Sequence, residues 1–187
     1  MTFSTYEPPT LEIWLTLGLG LTVLSPTYRS FARSLGLHGD ERVLDFGSGS
    51  GICSRHIAAR LRRGGQLDCV DISRGWMRVI RRTLRRYAQV GYHLGRITTL
   101  DLPEAAYDLV VIHFVLHDIP AAERPDVVAA LARRLKPGGR LVLREPQGHG
   151  LTLDELDRIM TAAGLRTTAI VAHRAPTMAV YDATYTR

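Results

Sequence analysis

Two cysteines, Cys53 and Cys69, are all that 187 residues contain. Each lies in an apolar run without CxxC spacing, so neither a disulfide framework nor a zinc site is indicated, and no metal site is expected. Lysine is rarer still. Lys136 is the only one, and the net charge of +6 rests on arginine. Long hydrophobic runs are missing too. The longest, Leu11 to Leu24, is interrupted by Glu12, Gly18 and Gly20 and is too short to span a bilayer. The N-terminus lacks the basic start, apolar core and small-residue cleavage site of a secretory leader. These absences together predict a cytoplasmic protein in a reducing compartment.

What is present is ordinary for one globular domain. Hydrophobic residues make up 45% and charged residues 22%, enough to fill a core without invoking disorder. The pI near 9.8 admits acidic partners, but a solvated arginine-rich surface is the simpler reading.

The first forty residues differ from the rest. After Pro8-Pro9, segments 11–24 and 26–37 read as two short helices. From Arg42 onward, strands and helices alternate. The strands are 43–46, 67–71, 90–94, 107–113 and 140–144, and the intervening helices are 52–61, 75–88 and 125–135. A further helix, 152–163, opens with a Thr-x-x-Glu capping box. Strands 167–172 and 179–185, joined by a short Pro-containing turn, suit an antiparallel hairpin. The pattern predicts an α/β doubly wound, mostly parallel seven-stranded sheet with a C-terminal antiparallel hairpin. Ligands in such sheets bind at the carboxyl ends of the strands, just after Asp45, Asp71, Leu100 and His113.

The first of those ends carries Gly47-x-Gly49-x-Gly51. Glycines there let backbone approach a ligand closely and aim N–H groups at it. Ile52 stands where a GxGxxG fingerprint places its last glycine, and no Lys-Ser/Thr follows, which excludes a P-loop. About twenty residues on, Asp71 has the spacing of a ribose-binding carboxylate. The plainer alternative is that Asp71 only caps the helix that follows.

VLDFGSGSG (Val43 to Gly51), VDISRGWM (Val70 to Met77), YDLVVIHFVLHDIP (Tyr107 to Pro120) and LKPGGRLVLREP (Leu135 to Pro146) occur in that order. Together they resemble the class I S-adenosylmethionine-dependent methyltransferases, with a Rossmann-like fold, over roughly Arg42 to the C-terminus. The resemblance implies S-adenosylmethionine as cofactor. It places the methionine part on Asp45, Gly47, Ser48, Gly49 and Gly51, the ribose on Asp71, and the adenine against Ile72 with Met77 beside it. The adenine edge falls to Thr98, Thr99 and Leu100, where the family usually has an acid followed by a small residue. A threonine hydroxyl still accepts a hydrogen bond there, without charge.

The motifs are nearly silent about the acceptor. A small, apolar molecule is expected. The alternatives are a lipid or quinone methylated at a membrane surface, or a regulatory module that binds the cofactor without turnover. His113, packed beside the cofactor, together with His117 and Glu145 are the candidate catalytic residues, able to orient the acceptor or take its proton. Methyl transfer is an in-line displacement, so much of its catalysis can be alignment alone. Residues 1–40 are expected to form a helical cap or acceptor-pocket element, walled by Tyr6, Trp14, Tyr28 and Phe31, and residues 41–187 the methyltransferase domain. Segment 11–24 offers a peripheral membrane contact, with few positive charges. Arg78, Arg81, Arg82, Arg85 and Arg86 form a stripe with no interleaved aromatics, and strand four lacks an Asn/Asp-Pro-Pro-aromatic end. Nucleic acid is therefore not the expected partner, and the oligomeric state is left open.

Overall fold

Short apolar runs bounded by glycine, proline and charge become strands here, the central ones buried on both faces. In this computed structural model, residues 25–175 and 178–187 are described, together with Glu7, Pro9, Gly18 and Thr22. The strands are β1 (Arg42–Phe46), β2 (Gln66–Asp71), β3 (Val90–Leu94), β4 (Tyr107–His113), β5 (Leu135–Pro146), β6 (Arg166–Arg174) and β7 (Ala179–Thr186). They form one sheet in the order β3-β2-β1-β4-β5-β7-β6. β1 to β5 pair in parallel, and β7 runs antiparallel to both β5 and β6. The order reverses between β1 and β4, so a crevice opens where both strands end.

Helices cover the two faces unequally. α1 (Ser25–Ser34), α2 (Ile52–Ala58) and α3 (Arg74–Thr83) bury Phe31, Ile57, Met77 and Ile80 against Val43, Leu67 and Val111. α4 (Arg124–Arg134) and α5 (Leu153–Ala162) bury Val128, Leu131, Leu156 and Ile159 against Leu44, Val110 and Ile112. Successive residues of β1 and β4 thus feed opposite layers, as pleating requires. Each such side chain, once fully buried, contributes about 1.5–3 kcal/mol.

Element ends depart from the sequence reading for local reasons. α1 stops at Ser34, before the expected Leu37, because Gly36 turns left-handed at φ 63°. α2 ends at Ala58 instead of Leu61. α3 begins at Arg74, N-capped by the Ser73 hydroxyl, and ends at Thr83, five residues before Ala88. The helix closes at Leu84, whose amide donates to the Ile80 carbonyl, and Thr83 is tied to the Ser50 carbonyl through its hydroxyl. β5 starts at Leu135, not Arg140, since Leu135 pairs with Tyr107 and the chain bulges before Arg140 meets Leu109. Thr152 caps α5 through the Glu155 amide, but Glu155 does not close the box. Its carboxylate pairs with Arg124 at 2.9 Å.

Of the segment 11–24, predicted as a helix, only Gly18 and Thr22 are described; the rest of it, with Tyr6 and Trp14, lies outside the described residues. No helix among the described residues is long and apolar enough to cross a membrane. β6 is the outer strand, nearly all of it exposed, and Val171 is 57% accessible.

Candidate functional site

β1 delivers Asp45 to the switch point, where its side chain is only 2% exposed. The Ser54 hydroxyl, on the first turn of α2, donates to Asp45 Oδ2. No cation among the described residues answers this carboxylate. Burial therefore raises its pKa to about 6, offset in part by Ser54 and reinforced by the charge of Asp71.

The loop that follows is left-handed at each glycine, with φ of 71° at Gly47, 51° at Gly49 and 76° at Gly51. Two of the three are also close packed. A side chain at Gly47 would strike Val115, and one at Gly51 would strike Ile80. Gly49 faces open space instead, with nothing nearer than the Gly47 carbonyl at 3.9 Å. The loop amides are not free, contrary to the simple anion-cradle picture. Gly47 and Ser48 donate to the Val70 carbonyl, and Gly51 donates to Ser48. Buried Ser48 also returns its hydroxyl to the Asp45 carbonyl at 2.8 Å. What the loop offers a ligand is the bare surface at Gly49.

Asp71, ending β2, holds that loop. Its Oδ2 accepts from the Gly49 amide at 2.8 Å and its Oδ1 from Ser73 at 2.9 Å. The helix cap is Ser73, whose hydroxyl accepts from Trp76, so capping is not the task of Asp71. Burial raises the Asp71 pKa against the lowering by Ser73 and Gly49. Each oxygen keeps a lone pair for a further donor.

One neighbour was invisible in the sequence. The Glu7 carboxylate accepts from the Ser73 hydroxyl and from the amides of Arg74 and Gly75, at 2.7–2.9 Å. These bonds, led by that from Gly75, hold its pKa below the usual range. Nothing local at Glu7 marks it, because its partners are 66–68 residues away. Glu7→Ala is expected to lower the unfolding free energy by about 1 kcal/mol, a fall in Tm of roughly 2–4 °C; thermal denaturation checks this.

Across the crevice, β4 ends in His113 and the backbone turns left-handed at Phe114, φ 60°. That conformation is costly for a phenylalanine and persists only when its surroundings impose it. Here they do. The Phe114 amide donates to the Arg144 carbonyl, and Glu145 Oε1 accepts from the Val115 and Leu116 amides at 2.9 and 2.8 Å. From the other side, buried Arg124 donates to the carbonyls of Leu116, His117 and Ile119.

The candidate catalytic residues therefore have different roles. Glu145 is 0% exposed and does not face an open acceptor pocket, because both its oxygens are spent on this turn and on His117. It holds the turn and the His117 ring in place. His117 Nδ1 lies 2.6 Å from Glu145 Oε2, and its Nε2 lies 3.3 Å from Asp118, on the exposed side. The bond to Glu145 raises the His117 pKa against burial. His149 stacks edgewise on it, ring centres 6.0 Å apart. His113 is the reverse case. Its ring packs against Tyr28 and Phe31 of α1 at 5.0 and 4.8 Å, and burial depresses its pKa to about 3. It is neutral, a poor base, with Nε2 buried and without a partner among the described residues.

Of the other predicted contacts, Ile72 is half-buried next to Asp71, and Thr98 and Thr99 are exposed in the turn after β3, with Leu100 partly covered. Met77 departs from expectation. It packs into the core beside Cys53 and Ile80, so its side chain serves α3 more than an adenine. Tyr28 and Phe31 do reach the site, through His113.

Comparison with known proteins agrees with this geometry. A model of the methyltransferase domain matches residues 43–139. The demethylmenaquinone methyltransferase of Tropheryma whipplei (strain Twist) is 32% identical over 119 residues, 63% of this chain and 46% of that protein. The chain thus spans less than half the length of that curated relative. Among solved structures, a SAM-dependent methyltransferase from Aquifex aeolicus superposes with TM-score 0.71 at 17% identity, covering 85% of this chain and 88% of its own. The magnesium protoporphyrin IX methyltransferase of Synechocystis PCC 6803, solved with bound SAM, gives 0.72 at 16% identity, covering 97% and 86%. The domain match, the strand order and the left-handed glycine loop between two buried acids place the chain in the class I S-adenosylmethionine-dependent methyltransferase family.

Proposed function

We propose that this chain transfers the methyl group of S-adenosylmethionine to a small apolar acceptor, and that the acceptor is a quinol-like ring. The observation that carries the cofactor half is the buried carboxylate of Asp45, answered by no cation among the described residues, with the bare surface of Gly49 in the loop that follows it. A ligand with an ammonium group and a sulfonium fits that deficit. Asp45 with Gly47 to Gly51 would hold its methionine part, and Asp71 its ribose hydroxyls. When bound, this cofactor supplies an electrophilic methyl group on sulfur.

The chain's own residues do the rest by alignment and proton handling. Glu145 holds the Nδ1 proton of His117, so that Nε2, 3.3 Å from the exposed Asp118, is the nitrogen that would accept a proton from the ring being methylated. His113 and the half-buried Tyr28 would wall the space with aromatic surface, backed by the buried Phe31. The quinol follows from the name of the Tropheryma relative and from that apolar wall.

Titration calorimetry tests the cofactor half. Loss of two hydrogen bonds to a charged acceptor predicts that Asp71→Ala weakens S-adenosylmethionine binding by roughly 100-fold. No binding by the wild type, or unchanged affinity in the variant, would sink the reading. Turnover with a short-chain demethylmenaquinol tests the acceptor half. Binding without turnover across a panel of quinols and phenols would leave a regulatory module instead.

A further inference from the structure

Charge on this molecule is sorted by layer. Between Gly47 and Leu67, and again between Ile72 and Leu100, there is no aspartate or glutamate. Those stretches contain α2, α3 and the turns that follow them. Exposed on this one layer stand Arg29 and Arg33 of α1, Arg55, Arg62 and Arg63 on and after α2, and the six arginines between positions 74 and 86. Among the described residues, none of these stands within ion-pair distance of a carboxylate, although the charge of Arg78 acts on Glu7 at the start of α3. The guanidinium groups instead crowd one another: the Arg60 pKa is lowered by burial and by Arg33 and Arg29. The opposite layer is mixed, with Asp126, Asp154 and Asp157 interspersed among its arginines.

The three helices pack side by side over one hydrophobic cluster, so their outer sides make a broad basic surface and not a single stripe. At one margin, Arg29 and Arg33 line an open hollow of about 410 Å³ with Thr22, Ser25, Pro26 and Ser30. Two guanidinium groups and three hydroxyls suit a phosphate-bearing head group. At the other margin the layer meets the switch point, through the N-termini of α2 and α3.

We propose that the α1–α2–α3 layer docks the protein on an anionic lipid bilayer. A charge excess spread over three helices suits a plane of negative head groups, where each arginine adds its own increment of attraction. A nucleic acid fits less well. Single strands need several open aromatic faces for stacking, and this layer offers only the half-buried Trp76, its other rings being taken. Tyr92 lies under the Arg81 guanidinium, Tyr87 packs against the core, and Tyr28 and Phe31 hold His113. This docking stands on charge and placement alone, and does not require the acceptor to be a quinol.

Flotation of the full chain with vesicles tests it. Binding is expected to vesicles of phosphatidylcholine containing about a third phosphatidylserine and not to phosphatidylcholine alone. It should disappear at about 0.5 M salt, where the screening length shrinks to a few ångströms. The triple variant Arg78→Glu, Arg82→Glu, Arg85→Glu should lose roughly 100-fold or more in affinity, at about 5-fold per neutralised arginine. Arg158→Glu on the opposite layer should change nothing. S-adenosylmethionine titration of the triple variant separates this result from the cofactor reading, since that affinity should stay as in the wild type. Three outcomes overturn the docking: no binding to anionic vesicles, binding that survives both salt and charge reversal, or capture of a poly(U) oligonucleotide without vesicle binding.

Discussion

At pH 7.5, Asp45→Asn is expected to raise the unfolding free energy by about 2 kcal/mol and to weaken S-adenosylmethionine binding beyond 100-fold. The two effects have one cause. The folded-state pKa of Asp45, about 6, stands above the ordinary 3.8. A raised acid binds its proton more tightly when the chain is folded. The stability tied to that proton is fully present below pH about 4 and is lost as pH rises through 6. At pH 7.5 the whole penalty applies, up to about 3 kcal/mol for a shift of two units, and asparagine removes it while still accepting from Ser54. Urea unfolding at pH 7.5 and pH 4.5 checks the sign, because the advantage of the variant should shrink at the lower pH. The wild type's cofactor affinity should in turn fall about tenfold per pH unit below 6. A variant less stable than wild type at pH 7.5 would mean that a cation does answer Asp45.

Glu145→Ala is expected to cost about 3–5 kcal/mol, which urea unfolding would show as a large fall in midpoint. The variant strands two amides, those of Val115 and Leu116, and frees the His117 ring. Glu145→Gln is the informative companion, since its carbonyl can still accept from the turn. It removes the negative charge that raises the His117 pKa. A histidine with raised pKa is protonated over a wider range, so its base form appears only above that value. In Glu145→Gln the acidic limb of methyl transfer should therefore move to lower pH. An unmoved limb would show that His117 takes no proton in the reaction.

The succession of strands and helices, the mostly parallel sheet and the C-terminal hairpin could be read from apolar runs, because pleating leaves alternation and burial in the sequence itself. Asp45, Asp71 and the glycine loop were equally legible, since their partners lie within about twenty-five residues. What was hidden is long-range. Glu7 reaches α3 across 66 residues, and Arg124 ties the turn after β4 to the Gly150 carbonyl and to Glu155, 26 and 31 residues on. Glu145 resembled a pocket acid because the sequence shows its place at the end of β5 but not the two amides that occupy it. The end of α3 was missed for another reason: apolar periodicity continues to Tyr87, while the contact of Thr83 with the Ser50 carbonyl at the helix end is again long-range.

The outer strand β6 carries a consequence for handling the protein. Thr167 to Ala172 is uncharged, rich in β-branched residues and open along its free edge, which is how strands of separate molecules come to add to one another. Arg166 and Arg174 stand at its two ends as gatekeepers, and the irregular register between Thr167 and Ala169 spoils a flat template. Mutual repulsion from the net charge of +6 supplies the remaining protection. Strong salt, or a buffer approaching the pI near 9.8, removes that repulsion first, so colloidal stability should fail under conditions that leave the fold intact.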